Sequence, residues 1–237
     1  MEKRRLLGIL GGMGPEATAY FFTKIVEFTD ASKDQEHIPI IIYNNPQIPD
    51  RMQAYLGVGE SPLNEFANGI KKLQEAGCDL VAIPCNSAHL WFRELVKKTN
   101  VEILNMIELT MKGFNRGDRV GLLATTLTVR SRLYEEPLRQ KGVEVLLPKD
   151  QDFVMNQIRL IKSGNIEKAG NGLLETANAL INSGASYILA GCTEVPIALK
   201  RKDLRVPFVD PMEIMAAECV IRLGGKLKTV LNMEEMT

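Results

Sequence analysis

Several things are scarce in this sequence, and each scarcity closes off a class of function. No apolar run approaches the roughly 18 residues that a membrane-spanning helix needs. The basic start "MEKRRLLGIL" reaches glycines before any signal-peptide core could form. A soluble, cytoplasmic protein with no membrane partner is expected. Net charge is +0, with 29 Lys+Arg against 29 Asp+Glu, and no segment is strongly basic, which argues against a nucleic-acid partner. There are 4 cysteines, too few for a disulfide framework, and no CxxC or Cys/His cluster that would suggest a metal site. Histidine is scarcer still, with His37 and His89 as the only 2. Nothing repeats or surrounds either one in the opposite half of the chain, so both read as structural. Any general base must then be sought among other residue types.

What is present is alternation. The chain of 237 residues is long enough to bury one large core or two smaller ones. "RLLGIL", "IPIIIYN", "DLVAIP", "VEILN", "RVGLLA", "VEVLL", "SYILAG" and "VPFVD" read as short buried strands. Helical patterns lie between most of them. Leu63, Phe66, Ala67, Ile70 and Leu73 share one face of "SPLNEFANGIKKLQEAG", and "ETANALINSG" and "MEIMAAECVIRLGGKL" behave likewise. The last of these opens with Asp210 as N-cap, Pro211 at the first helical position and Glu213 as the reciprocal partner. The fold class is therefore α/β, with parallel sheets flanked by helices.

The alternation also repeats. "AGCDLVAIPCN" at 76–86 aligns without gaps on "SGASYILAGCT" at 183–193, which superimposes Gly77 on Gly184 and Cys85 on Cys192. "VEILNMIE" and "VPFVDPME" follow at nearly the same offset, and "LGILGG" corresponds to "VGLLAT" upstream. Two similar α/β lobes are expected, related by a pseudo-dyad. Their limits are placed at 1–104 with 210–237 for the first and 105–209 for the second. Ligands of open α/β sheets bind outside the carboxyl ends of the strands. Lobes that face one another would bring Cys85 and Cys192 to a shared cleft from opposite sides.

A buried, inert thiol is the ordinary reading of a free cysteine. Cys78 and Cys219 fit it, on apolar segments with no polar company. Cys85 and Cys192 do not, because "NS" follows the first and "TE" the second. A redox pair usually sits close in sequence, and this pair is far apart. Proton transfer on both faces of one carbon suits the pattern better. A thiol ionises near pH 8.5, and a helix N-terminus lowers that value. One sulfur could then remove a proton while the other supplies one, inverting a stereocentre.

Taken together, "GILGGMGPEAT", "NNPQIPDR", "PCNSAH", "GLLATT" and "GCTEVP" resemble the cofactor-independent aspartate racemases of the aspartate/glutamate racemase superfamily. The motifs occur in order over almost the whole chain. The resemblance implies two similar α/β domains, an active site between them, no pyridoxal phosphate or other cofactor, and Cys85 with Cys192 as the catalytic pair. Some relatives carry threonine in place of the first cysteine; this chain keeps both.

The remaining motifs gain roles from the same resemblance. "GMGPEA" fits a dinucleotide fingerprint, but the next strand closes on Asn44 and Asn45 rather than on the acidic residue that would hold a ribose. The resemblance keeps the turn around Met13 and uses it to bring backbone N–H groups to a carboxylate. Arg51, on the proline-rich loop "NNPQIPDR", is implied as a carboxylate contact; taken alone, a loop arginine is most often solvated. Thr125 and Thr128, with Thr126 between them, cap a helix or donate to the substrate carboxylate. Lys162 sits near a helix end, where the dipole alone would favour it; the resemblance extends it to the second carboxylate of a dicarboxylic amino acid. Glu194 accepts from an ammonium group or merely opens a helix. Asn86, Ser87 and Thr193, next to the cysteines, supply further donors.

The activity implied is racemisation of aspartate by two thiols, with a dicarboxylic amino acid as the small-molecule partner. Apolar helix faces are expected to support a homodimer. Glutamate or a broader set of amino acids is the nearest alternative, followed by isomerisation of maleate or racemisation of hydantoins. A two-lobed small-ligand binding protein is the non-enzymatic alternative, but it would need no paired cysteines.

Overall fold

Eight short apolar runs bounded by glycine, proline and polar turns become eight strands in the computed structural model, which describes residues 5–228. The expected outer limits, 1 and 237, lie outside the described residues. The chain divides into two compact units, 5–106 with 212–228, and 107–211.

The first unit holds β1 (Leu7–Gly11), α1 (Pro15–Phe28), β2 (Ile40–Asn44), α2 (Arg51–Tyr55), α3 (Leu63–Glu75), β3 (Leu80–Ala82), α4 (Phe92–Val96) and β4 (Glu102–Ile103). A 3₁₀ turn, Ser87–Trp91, precedes α4. The second holds β5 (Arg119–Ala124), α6 (Thr126–Arg130), α7 (Glu135–Gln140), β6 (Glu144–Leu146), α8 (Gln151–Lys162), α9 (Ile166–Asn182), β7 (Tyr187–Gly191), α10 (Val195–Ala198) and β8 (Phe208–Val209). Helix α5 (Met106–Met111) opens on the last residue of the first unit's leading segment, and α11 (Pro211–Arg222) carries the chain back into that unit.

Each unit has one four-stranded sheet, and every pairing between the named strands is parallel. The orders are β2-β1-β3-β4 and β6-β5-β7-β8. The same permutation occurs twice, as the internal repeat requires. In both sheets the winding direction reverses between the two central strands, β1/β3 and β5/β7. In open α/β sheets such a reversal is where ligands bind, beyond the carboxyl ends of the strands.

Burial explains the pattern. All five residues of β1 are buried, as are the last five of β5, because helices cover both faces of a parallel sheet. Edge strand β2 is only half-buried. On α9, Ala169, Leu173, Ala177 and Leu180 form the buried stripe, and on α8 it is Val154, Ile158 and Ile161. These residues share one core cluster with Leu123, Ile188 and Ala190 of the sheet. Each such Leu or Ile stabilises the fold by roughly 1.5–3 kcal/mol through burial alone. Asp150 starts α8 by accepting the Phe153 N–H at 2.8 Å. Among the described residues no helix is long and apolar enough to cross a membrane.

Candidate active site

Strand β3 stops at Ala82 because Pro84 cannot continue the ladder. The chain bends instead, and the Cys85 N–H donates to the Ile83 carbonyl at 2.7 Å. This turn carries Cys85 to the carboxyl end of the central pair β1/β3. Its Sγ lies 3.5 Å from the Ser87 hydroxyl. Asn86 is buried beside it.

His89 fixes the turn from beneath. Its Nε2 accepts the backbone N–H of Met106, at the start of α5, at 3.1 Å. A backbone amide only donates, so the ring proton must sit on Nδ1. Nδ1 then donates to the Cys85 carbonyl at 2.9 Å. Burial holds this imidazole below the usual histidine range, in its neutral form. The ring also stacks on Phe92, with centroids 5.7 Å apart. Reading His89 as structural agrees with these contacts, but its position against Cys85 was not legible in the motif.

The loop after β1 is pinned in the same manner. Gly12 has φ +101, and a Cβ there would fall 2.3 Å from the Asn45 backbone, so only glycine fits the turn. The Thr18 hydroxyl accepts the Gly12 N–H at 3.0 Å and donates to the Gly14 carbonyl at 2.9 Å. That amide is therefore spent on the loop itself rather than offered to an anion. The Met13 side chain is buried in one cluster with Ile48, Cys85 and Ala88. Ile48 belongs to the loop before α2, so this loop packs into the cluster that holds the thiol. Arg51 opens α2 and turns one arm back on its own loop. Nη1 donates to the carbonyls of Ile48 and Pro49 at 3.3 and 3.1 Å, while Nε is buried with no hydrogen-bond partner.

In the second unit, sheet register does the positioning. Ala124 of β5 pairs with Gly191 of β7, so the residues that follow, Thr125 and Cys192, emerge side by side. Thr125 caps α6, accepting the Thr128 N–H at 3.2 Å, and the two hydroxyls meet at 3.1 Å. Gln151 at the start of α8 donates to the Ala124 carbonyl at 2.9 Å, leaving its Oε1 buried without a hydrogen-bond partner. Gln151 was not singled out in the sequence. Nothing about a glutamine at the start of a helix marks it until the strand end beneath is known.

Cys192 keeps different company from Cys85. Its Sγ donates to Glu194 Oε2 at 3.0 Å, and Thr193 Oγ1 donates to the same oxygen at 3.3 Å. Lys162, the last residue of α8, brings its Nζ within 3.1 Å of Glu194 Oε1. Lys162 is 47% exposed while Glu194 is 5% exposed, so the ammonium links a buried carboxylate to solvent. Glu194 makes no side-chain cap on α10. Burial first, and the Glu194 charge second, push the Cys192 thiol well above its ordinary range, with Lys162 acting in the opposite sense. Such a thiol keeps its proton at neutral pH.

The expected residues thus gather unit by unit. Met13, Asn86 and Ser87 surround Cys85, with the Arg51 loop packed into the same cluster. Thr125, Thr128, Lys162, Thr193 and Glu194 occupy the carboxyl end of β5/β7 or adjoin Cys192. Cys78 and Cys219 are buried, and both thiols are pushed up chiefly by that burial, consistent with packing roles. A groove of about 600 Å³ along α8 and α9, lined by Pro148, Phe153, Glu175 and Thr176, touches neither Cys85 nor Cys192. Volume alone does not mark the chemistry here.

Comparison with known proteins gives the family and the fold. The chain is 28% identical over 222 residues to the broad specificity amino-acid racemase RacX of Bacillus subtilis (strain 168), covering 91% of this chain and 96% of the relative. It superimposes on the aspartate racemase of Picrophilus torridus with a TM-score of 0.89 and 37% identity, over 98% of this chain and 99% of that one. An aspartate racemase homologue from Pyrococcus horikoshii OT3 follows at a TM-score of 0.74 and 26% identity, covering 94% and 100% of the two chains. The Asp/Glu/Hydantoin racemase family model matches residues 10–219. With two like-ordered parallel sheets and a thiol at the central strand end of each, the chain belongs to the Asp/Glu/hydantoin racemase family.

Proposed function

We propose that this isomerase interconverts L- and D-aspartate without a cofactor, using Cys85 and Cys192 on opposite faces of Cα. The observation that carries the reading is the duplication. Two units with one strand order each carry, just past the end of a central strand, a cysteine followed by hydrogen-bonding residues. The likeness to the Picrophilus torridus aspartate racemase supports aspartate as the substrate.

One thiolate removes the Cα proton, and the electron pair stays on Cα, spread into the α-carboxylate. The opposite thiol gives its proton to the other face. The barrier is the carbanion-like charge, so donors aimed at the α-carboxylate must carry much of the rate enhancement. Thr125, Thr128, Asn86, Ser87 and Thr193 are the groups assigned to this task. Arg51 and Lys162 are assigned to the two carboxylates.

A second reading, a broader amino-acid specificity, is favoured by two observations. The chain is similar to RacX over 91% of its length, and Lys162 already has a carboxylate partner in Glu194. A side-chain carboxylate would have to compete for that ammonium. Both enantiomers of a panel of amino acids, incubated in D2O and resolved by chiral chromatography, decide between these readings. Aspartate racemised with deuterium at Cα, well ahead of neutral amino acids, supports the first. Equal turnover of neutral and acidic substrates supports the second, and no inversion of any member overturns both.

A further inference from the structure

The duplicated halves differ most where the thiols find their partners. Cys85 meets a hydroxyl, Ser87 Oγ at 3.5 Å. Cys192 meets a buried carboxylate at 3.0 Å, and that carboxylate is held on its other oxygen by Lys162. A sulfur and a carboxylate oxygen at this distance share a proton. A thiol holds its proton to higher pH than a carboxylic acid does, so the shared proton belongs on sulfur. Thr193 Oγ1 donates to the same carboxylate at 3.3 Å, and the Lys162 ammonium forms an ion pair with its other oxygen at 3.1 Å.

From this geometry we infer that Glu194, backed by Lys162, is a positioning residue that holds Cys192 as the resting acid, leaving Cys85 to act as the resting base. The inference rests on the two-thiol reading and deepens it. Glu194 then serves the protein's own sulfur rather than the substrate's ammonium. In the forward half-reaction Cys85 thiolate takes the Cα proton and Cys192 S–H breaks to reprotonate Cα. The enzyme is left with a Cys85 thiol and a Cys192 thiolate. That thiolate stands beside the Glu194 carboxylate, an arrangement destabilised by like charge. A proton lost by Cys85 to water and one regained by Cys192 restore the starting form. Lys162, half-exposed and in contact with Glu194, moderates the repulsion.

The test reads the sulfur directly and does not depend on turnover. The pH midpoint of Cys192 alkylation by iodoacetamide is measured on the full chain, with the Cys192 peptide quantified by mass spectrometry. Limited access lowers the plateau rate but leaves the midpoint in place. Glu194→Gln keeps the side-chain shape and removes the charge, so the midpoint should fall and labelling below it should rise at least about tenfold. Lys162→Met leaves the carboxylate uncompensated, so its midpoint should rise. Opposed shifts are the signature, because a packing defect would move both variants the same way. Lys162 is exposed enough that its variant should fold even if Glu194→Gln does not, and its rise alone supports the inference. Midpoints that stay put, or move together, overturn it. Opposed shifts in a chain that racemises nothing would retain this assignment and remove the proposed function. Racemisation with unmoved midpoints would do the reverse.

Discussion

Replacing His89 with phenylalanine is the sharpest probe of how the fold holds its first thiol. The substitution keeps an aromatic ring against Phe92 and nearly the same volume. It removes both ring nitrogens from a buried site, where one donates to the Cys85 carbonyl and the other accepts the Met106 N–H. Each stranded backbone group costs about 1–3 kcal/mol, so the variant should lose roughly 2–6 kcal/mol near neutral pH.

The same change should alter the pH dependence, and the sign follows from burial. The folded imidazole titrates below its ordinary value, so the unfolded chain binds more protons in the acid range. The associated stability is present above about pH 6.5 and is lost as pH falls towards the folded value, at about 1.4 kcal/mol per unit. His89→Phe has no such group and should lack that slope. Urea unfolding followed by fluorescence of Trp91, the only tryptophan, reports on this turn, since Trp91 ends its 3₁₀ segment. Carboxylates titrate in both proteins and cancel in the difference. The gap between wild type and variant should therefore narrow by about 1.4 kcal/mol for each unit of acidification below about pH 6.5. Parallel stability curves at neutral and mildly acidic pH would refute the assignment of a neutral, doubly bonded imidazole.

Cys85→Ala and Cys192→Ala should each lose racemisation by about 10²- to 10⁴-fold, while exchanging the Cα proton with D2O for opposite enantiomers. Exchange of the same enantiomer by both variants would end the two-thiol mechanism. Arg51→Ala and Lys162→Ala should raise KM for aspartate far more than they lower unfolding temperature, and an unchanged KM in both would remove the two-carboxylate assignment. On the alkaline side, burial raises the Tyr134 hydroxyl and the Cys192 and Cys219 thiols. The stability they contribute is fully present below the unfolded values of about 8.5 for thiols and 10 for tyrosine, and is lost as pH rises beyond them. Tyr134→Phe should flatten that decline above about pH 10, and an unchanged slope would show that Tyr134 ionises freely in the fold.

Much of this architecture is written in local sequence, and the reasons are physical. Strands such as "RVGLLA" are continuous apolar runs because a central parallel strand is buried on both faces. The turns are legible where a single residue type meets a backbone requirement, as Gly12 does beside Asn45. Segment ends are less legible. "DLVAIP" yields only Leu80–Ala82, because Pro84 redirects the chain. The partners of Lys162 and Glu194 were hidden for another reason. One ends α8 and the other precedes α10, and only the packing of α8 against α10 joins them. Spacing arguments follow a helix face or a strand face, and this pair shares neither.

That distinction bears on what a duplicated fold delivers. Repetition of strand order places a sulfur at the carboxyl end of β3 and another at the end of β7, because a backbone ladder sets where a chain emerges from a sheet. It does not make the two sulfurs equal. Racemisation needs one acid and one base at any moment, so two thiols in equal surroundings would have to be sorted by chance ionisation. On the proposed two-thiol mechanism, the sorting falls to the residue two places after each cysteine: Ser87, a neutral hydroxyl, against Glu194, a buried carboxylate. Aspartate's racemisation equilibrium is unity, which forces kcat/KM to be equal in the two directions. With aspartate as substrate, the bias inferred for Glu194 should therefore surface in kcat and KM separately. The enantiomer that has to meet the less populated proton arrangement should show the higher value of both.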